Sequence, residues 1–222
     1  IRRQRSDLCS FSHLFAKINF NLHFAMLDYI TFLTCLEFAV LNSIYLEIVL
    51  KPKQVLCLES AYLQKDVMCV LPTGYGKSLI FQMLPMLLFA KSKLLANVRL
   101  KGISAAAVNS MVVVVSPLNS LMSNQISRLR VSGVRAAIID IKKSRKEHAD
   151  HEIDQESENM EIEIDFRLCD ERKLRNGDYH IVFAHPETLV SNKFGRDLLL
   201  SETYQENVVA ITIDEAHCIV EW

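Results

Sequence analysis

Residues 71–78 read LPTGYGKS, and this stretch decides the fold of the chain. It lies between an apolar run, Val67–Leu71, that predicts a buried strand, and a helical stretch, Gly76–Ala90. Gly74 and Gly76 allow a tight turn whose backbone N–H groups point at one anion. The first residue is leucine where the general pattern has glycine. The stretch therefore predicts a phosphate-binding loop in its short T-G-x-G-K-S form.

The polar side chains of this loop predict a bound nucleotide. Lys77 can reach the β- and γ-phosphates, and the hydroxyl of Ser78 can ligate Mg²⁺. A chance glycine turn before a helix is the alternative, and the order of strand, loop and helix disfavours it. The loop residues expected to bind the nucleotide are Thr73, Gly74, Tyr75, Gly76, Lys77 and Ser78.

A second motif, Asp-Glu-Ala-His at residues 214–217, directly follows the apolar run Val208–Ile213. Carboxylates at the carboxyl end of a parallel strand lie where open α/β sheets bind ligands. We expect Asp214 to hold Mg²⁺ together with Ser78, and Glu215 to act as general base on the attacking water. Because the pair follows both a strand and a phosphate loop, it predicts hydrolysis of a nucleoside triphosphate.

The remaining apolar runs predict a parallel sheet. They are apolar at nearly every residue and are separated by helical stretches, which is typical of strands covered on both faces. Pro85 is expected to bend or shorten the first helix. The further predicted elements are strands at Met111–Ser116, Val134–Ile139, Tyr179–Ala184 and Val208–Ile213, and a helix at Leu118–Val131.

Composition limits the classes of function. The chain has 222 residues, which suits one domain with extra material or two small ones, and half of them are hydrophobic. Lys plus Arg number 25 and Asp plus Glu 26, so an overall polybasic nucleic-acid binder is excluded and any such contact must be local. None of the six cysteines forms a C-x-x-C pair, so we expect neither a zinc site nor a disulfide framework, and a reducing compartment.

Two segments depart from the α/β pattern. Residues 1–50 form a prefix whose part Tyr29–Leu46 carries one charge, Glu37. We interpret the prefix as helical and buried, with a membrane span as the less favoured alternative. Residues 142–178 are strongly charged and predict a solvated insertion, or else a regulatory segment, within a lobe that spans 51–222. Because the chain starts with isoleucine and stops abruptly, we interpret it as a fragment.

From about Leu50 to Trp222 the chain resembles the first RecA-like lobe of a superfamily 2 helicase of the RecQ family. Beside the phosphate loop, Lys51 stands where arginine is more typical, and His185 replaces a more usual serine. The stretches that carry the resemblance are KPKQ at 51–54, LPTGYGKSLIFQMLP at 71–85, SPLNSLMSNQ at 116–125, AHPETL at 184–189 and DEAHCIVEW at 214–222.

The resemblance implies roles for further residues. Gln54 would recognise the edge of adenine, since an amide can both donate and accept there. His217 would couple the nucleotide site to the rest of the motor. Ser116, Asn119, Ser120 and Pro186 would contact the backbone of single-stranded DNA, where small polar groups and free helix amides favour phosphate. Trp222 would begin a loop that senses the strand by stacking.

The function implied is that of an ATP-dependent 3′→5′ DNA helicase. It would use ATP and Mg²⁺, act on single-stranded or partly duplex DNA, serve DNA repair and recombination, and reside in the nucleus. We expect this chain to bind ATP weakly and not to unwind DNA by itself, because the second lobe supplies an arginine worth about 10³–10⁵ in rate. Two alternatives stay open, a truncated non-catalytic binding fragment and another P-loop enzyme such as a nucleotide kinase or a transport ATPase.

Overall fold

A computed structural model describes residues 28–43, 48–99, 110–117, 119–131, 133–141, 164–165 and 169–221. Its strands are β1 (Met111–Val115), β2 (Ala136–Ile141), β3 (Ile164–Asp165), β4 (Ile181–Ala184) and β5 (Val208–Ile213). They form one sheet in the order β3-β2-β4-β1-β5. The pairs β1–β4, β1–β5 and β2–β4 are parallel, whereas the two-residue β3 is antiparallel to β2.

Helices cover both faces of this sheet. One face carries α1 (28–41), α2 (Pro52–Tyr62), α3 (Lys77–Arg99) and α4 (Asn119–Val131). The other carries α5 (Glu171–Arg175), a π-helical turn (Glu187–Ser191), α6 (Lys193–Leu200) and α7 (Glu202–Asn207). A 3₁₀ segment, Ala216–Glu221, ends the described chain.

The residues of β1, β2 and β4 alternate between two apolar clusters. Val112 and Val114 of β1 pack with α1–α4, while Val113 and Val115 pack with α5–α7. All five residues of β1 are buried, which explains why the run MVVVV carries no polar position. The predicted α/β fold, a mostly parallel sheet with helices on both faces, is confirmed.

Helix α1 belongs to the first cluster. Phe32 is buried and its ring lies 5.4 Å from that of Tyr62 on α2, whose hydroxyl donates to Thr31 at 3.2 Å. In the described part of the chain, no helix is long and apolar enough to cross a membrane. The rest of the predicted prefix, residues 1–27 and 44–47, lies outside the described residues.

The predicted strand Val67–Leu71 is wrong. Residues 65–72 have no regular secondary structure, and the side chains of Met68 and Val70 are 87% and 81% exposed. An apolar run becomes a strand only where a neighbour pairs with it. Within the described residues, β5 is an edge strand and pairs only with β1. Its free edge therefore forms no strand pairing with residues 65–72.

Two further segments differ from prediction. Pro85 does not shorten α3, which continues to Arg99, since the helix is held by buried leucines on both sides of the proline. The predicted insertion at 142–178 contains β3 and α5, whose Leu174 is completely buried in the second cluster. Residues 142–163 and 166–168 lie outside the described residues.

Candidate nucleotide-binding site

The loop at residues 71–78 turns by means of its two glycines. Gly74 and Gly76 have φ angles of +77° and +92°, in the left-handed region that side chains other than glycine rarely adopt. The N–H of Tyr75 donates to the carbonyl of Pro72 at 3.2 Å. Lys77 and Ser78 are then the first two residues of α3, so the loop ends at a helix N-terminus as the sequence predicts.

Gln54 holds this loop from the side of α2. Its amide nitrogen Nε2 donates to the carbonyls of Tyr75 and Gly76 at 3.1 and 3.0 Å, and its oxygen Oε1 accepts from the N–H of Lys51 at 2.8 Å. The side chain is only 2% exposed. The structure therefore brings Gln54 to the loop, but with its amide occupied by backbone rather than free for adenine.

Lys51 contacts the loop through its charge. Its ammonium Nζ lies 4.5 Å from the centroid of the Tyr75 ring, within the range of a cation–π interaction. Lys51, which precedes α2, and Tyr75 of the loop therefore make a second contact between these two elements, in addition to the buried contact that Gln54 makes.

Asp214 ends β5 close to Lys77. Its N–H donates to the carbonyl of Val115 at 2.8 Å, which fixes it at the carboxyl ends of β5 and β1. Burial raises the pKa of the Asp214 carboxyl, and the charge of Glu215 raises it further, while the hydrogen bond from the Glu215 N–H and then the positive charge of Lys77 lower it. The structure therefore places Lys77 within range of the charge on Asp214.

Glu215 and His217 form a pair at the rim of this site. Glu215 has a φ of +53°, which is uncommon for a side chain of this kind. Its carboxylate Oε2 lies 3.3 Å from Nδ1 of His217, and its N–H is 3.2 Å from Oδ1 of Asp214. Since Glu215 is half-buried and the side chain of His217 is 75% exposed, Glu215 is the one held towards the interior.

Gln125 is a site residue that the sequence analysis did not single out. It lies on α4 among the buried Met122, Ile126 and Leu129, and its Nε2 donates to Oγ of Ser78 at 3.4 Å. A glutamine on the apolar face of a helix is the signal that could have found it, because a buried amide needs a partner. It links α4 to the loop hydroxyl predicted to ligate Mg²⁺.

Asn119, one of the residues expected to contact DNA, lies near the ends of β1 and β4. These strands pair in parallel with Val115 opposite Ala184, so the segments that follow them are neighbours. Asn119 begins α4, and its Oδ1 lies 2.6 Å from Nε2 of His185. Both residues are at least partly exposed, so this contact is accessible to a ligand.

The other expected DNA contacts are placed differently. Ser120 is exposed beside Asn119, and Pro186 is half-exposed at the start of the π-helical turn. Ser116 is only 1% exposed, and its hydroxyl has no hydrogen-bond partner among the described residues, so its side chain does not reach the surface. The Ser116 hydroxyl therefore makes no capping hydrogen bond to α4, and it is not placed to contact a DNA strand. Trp222 lies outside the described residues.

Comparison with known proteins gives the family of this site. The model of the DEAD/DEAH box helicase family matches residues 51–222, which include the loop and the Asp-Glu-Ala-His motif. The chain belongs to the DEAD/DEAH box helicase family. Within this family, its motifs and its relatives place it with the RecQ-type helicases.

Several relatives are helicases by name. The chain is 30% identical over 159 residues to the ATP-dependent DNA helicase RecQ of Bacillus subtilis and 31% identical over 158 residues to the ATP-dependent helicase wrn-1 of Caenorhabditis elegans. It is 28% identical over 159 residues to the mouse bifunctional 3'-5' exonuclease/ATP-dependent helicase WRN. The matches cover 72%, 71% and 72% of this chain but only 20%, 11% and 8% of these relatives. The chain thus spans about a fifth or less of their length.

Proposed function

We propose that this chain is the ATP-binding lobe of a RecQ-like DNA helicase that moves 3′→5′ on single-stranded DNA. The proposal is supported most directly by the position of Asp214, which is held by Val115 at the carboxyl ends of β5 and β1, where the charge of Lys77 lowers the pKa of its carboxyl. A loop amine for the phosphates and a strand-end carboxylate for the metal are the two parts that phosphoryl transfer needs in one place.

In this proposal the loop amides and Lys77 bind the phosphates of ATP. Glu215, held beside Asp214, accepts a proton from the attacking water, and His217 orients Glu215 through their 3.3 Å contact. Asn119, Ser120 and His185 offer accessible polar side chains at the ends of β1 and β4 to the DNA strand, and Pro186 lies beside them. Both sites lie at the same edge of the sheet, so movement of α4 can connect them through Gln125.

The residues around Asp214 fit a magnesium ion. A hydroxyl and a carboxylate are the oxygen donors that this ion accepts in nucleotide sites, and it keeps several waters besides. The Asp214 carboxylate is desolvated and next to Glu215, so a divalent cation would offset the charge that raises its pKa. Ser78 and Asp214 would hold the ion, which would neutralise charge on the phosphates.

Nucleotide binding by the full chain is the first test. We expect a fluorescent ATP analogue to bind in the presence of Mg²⁺ and to be displaced by ATP. We expect no strand separation by the chain alone, and separation of 3′-tailed but not 5′-tailed duplexes once it is joined to a second RecA-like lobe. Absence of ATP binding would contradict the proposal, and preference for 5′ tails would contradict its polarity.

A non-catalytic role is the second candidate, because the Gln54 amide is occupied by the loop carbonyls and residues 65–70 are outside the sheet. The two functions differ in the joined protein. A helicase lobe gives ATP hydrolysis that single-stranded DNA accelerates, whereas a binding fragment gives none, and a nucleotide kinase is indifferent to DNA.

A further inference from the structure

Two thiols lie in contact beside the nucleotide site and have no part in the proposed function. Cys57 is on α2, and Cys69 is on the extended segment 65–72 that leads into the loop. Their sulfur atoms are 2.8 Å apart, and both residues are half-buried. Because the sulfurs already touch, the two side chains need little movement to form a covalent bond.

This pair connects the same two elements that Gln54 connects. Gln54 lies three residues before Cys57 on α2 and donates to the carbonyls of Tyr75 and Gly76. Cys69 precedes the buried Leu71 at the entry of the loop. A bond between the thiols would therefore be a second attachment of α2 to the loop, and a covalent one.

We propose that Cys57 and Cys69 are a redox-active pair, which hydroperoxides convert to a disulfide that lowers the affinity of the adjoining loop for ATP. The ATP part of this inference rests on the proposed function. Disulfides are rare in reducing compartments, and those that form there are usually transient and regulatory.

The two thiols are partly buried, which affects how readily they ionise and react. Burial raises the pKa of the Cys57 thiol to about 12, and its hydrogen bond to Cys69 and the charge on Cys69 contribute to this rise. Cys57 is therefore protonated at neutral pH, whereas attack on a peroxide requires a thiolate. Oxidation therefore begins at whichever sulfur loses its proton, and the same disulfide results whether Cys69 or Cys57 reacts first.

The oxidation balances with one molecule of hydrogen peroxide. When Cys69 reacts first, its sulfur attacks a peroxide oxygen, the O–O bond breaks, and a sulfenic acid and one water result. The sulfur of Cys57 then attacks that of Cys69, the S–S bond forms, and the S–O bond breaks. The leaving hydroxide takes the thiol proton as a second water. Two thiols lose two electrons and two protons, and the peroxide is reduced to two waters.

The disulfide would keep the segment 65–72 where the structure has it, against α2 and outside the sheet. With the segment fixed, Gln54 stays on the carbonyls of Tyr75 and Gly76, and the loop cannot shift to free the amide or to enclose the phosphates. Reduction removes this restraint. Oxidation and ATP binding are thus coupled with opposite effects on the same loop.

Peptide mapping of the full chain tests the bond directly. The reduced chain is titrated with hydrogen peroxide, alkylated and digested with trypsin, which cuts after Lys53, Lys65 and Lys77. Cys57 and Cys69 then fall in neighbouring peptides, 54–65 and 66–77. We expect these two peptides joined with the loss of two hydrogens. In the same samples we expect the affinity for a fluorescent ATP analogue to fall by at least about fivefold and to recover with dithiothreitol.

Single substitutions provide the controls. C57S and C69S should each abolish both the joined peptides and the effect of peroxide on ATP affinity. C169S, which removes a half-buried thiol on the opposite face of the sheet, should change neither. If thermal melting shows that a serine variant does not fold, the corresponding alanine variant replaces it.

The outcomes separate this inference from the proposed function. Absence of the joined peptides in the unsubstituted chain overturns the inference, as does a complete crosslink with unchanged ATP affinity. A reduced chain that binds no ATP overturns the proposed function instead. In that case the joined peptides, and their loss in C69S, still decide whether the thiols are a redox pair.

Discussion

The amide nitrogen of Gln54 lies 3.0 Å from the carbonyl oxygen of Gly76 and fills the space beside that residue's Cα. A Cβ added at position 76 would lie 2.6 Å from this nitrogen, which is closer than side-chain contacts allow. The second glycine of the loop is thus required twice, once for its φ of +92° and once for the close approach of Gln54. The loop and α2 therefore fit closely against each other at this position.

Substitution of Gly76 by alanine should therefore damage both the loop and its contact with α2. Strain at positive φ costs about 1–2 kcal/mol, and displacement of Gln54 costs about 1 kcal/mol for each lost hydrogen bond. We expect the free energy of unfolding of G76A, measured by urea titration, to fall by about 2–4 kcal/mol. ATP binding should be lost with it.

Gly133 offers a matched control for that experiment. It has a φ of +78°, with nothing within 4 Å of an added Cβ, and it lies outside the loop. G133A should show only the strain of about 1–2 kcal/mol and should bind ATP as the unsubstituted chain does. Equal destabilisation by the two alanines would refute the role of the contact with Gln54.

Lys77 to alanine tests the charge at the loop. Removing the ammonium removes a charge-assisted hydrogen bond to phosphate, worth about 1.5–3 kcal/mol, so ATP affinity should fall at least about tenfold. Fluorescence titration with Mg²⁺ present measures this. The control is K193A on α6, whose exposed lysine lies on the opposite face of the sheet. If K77A and K193A bind ATP equally well, the loop does not use Lys77.

The sequence could predict the parts of this fold that are buried on both sides. The run MVVVV at 111–115 is recognisable because every residue is covered by one of two helical layers. The run at 67–71 is equally apolar but lies outside the sheet. A strand forms only beside another strand, and the pattern of apolar residues does not show which strand that would be. Periodicity gives the apolar character of a segment and not its partner.

The site shows the same limit. The loop and the strand-end carboxylates are short motifs, so the sequence predicts one shared site for Lys77 and Asp214. The hydrogen bond from Gln125 to Ser78 joins residues 47 positions apart through tertiary packing, and only the buried position of the glutamine hints at it. Ser116 fits a DNA-binding motif by sequence, yet its side chain is only 1% exposed in the folded chain.

His180 should make the chain less stable in mild acid. Burial, followed by the charge of Arg135, lowers the pKa of this histidine to about 4, and Arg135 Nη2 lies 2.9 Å from its Nε2. Between an unfolded pKa near 6.5 and the folded value, the unfolded chain takes up a proton that the folded chain does not. Stability is thus lost as the pH falls from about 6.5 towards 4.

Urea titration of the unsubstituted chain and of H180Q at pH 7.5 and 5 measures this effect. Because the side chain is partly solvated, we expect its share of the stability lost on acidification to be about 1 kcal/mol rather than the full value for the shift. The glutamine of H180Q cannot take up a proton, so the stability that this variant loses between pH 7.5 and 5 should be smaller by about 1 kcal/mol. An identical loss in both proteins would show that His180 does not contribute.

Asn119 and His185 should act as one unit in binding DNA. Their 2.6 Å contact joins the segments after β1 and β4, so removing either partner frees the other. We expect N119A and H185A each to cost about 0.5–1.5 kcal/mol in stability and to weaken binding of a labelled single strand. The double variant should be little worse than either single one. Fully additive effects, measured by fluorescence anisotropy, would show that the two residues act independently.

Glu215 to glutamine separates binding from hydrolysis in the protein joined to a second lobe. Glutamine has nearly the same shape as glutamate, so the 3₁₀ segment and the hydrogen bond from the N–H of residue 215 to Asp214 should persist. The neutral amide cannot accept the proton of the attacking water. We expect ATP affinity to stay within about threefold and turnover to fall at least about a hundredfold, the lower end of what a general base contributes.

H217Q is the informative partner variant, because it removes the contact that orients Glu215 but leaves the base, and should therefore retain part of the turnover. Normal hydrolysis by E215Q, measured as phosphate release with single-stranded DNA present, would mean that another group accepts the proton.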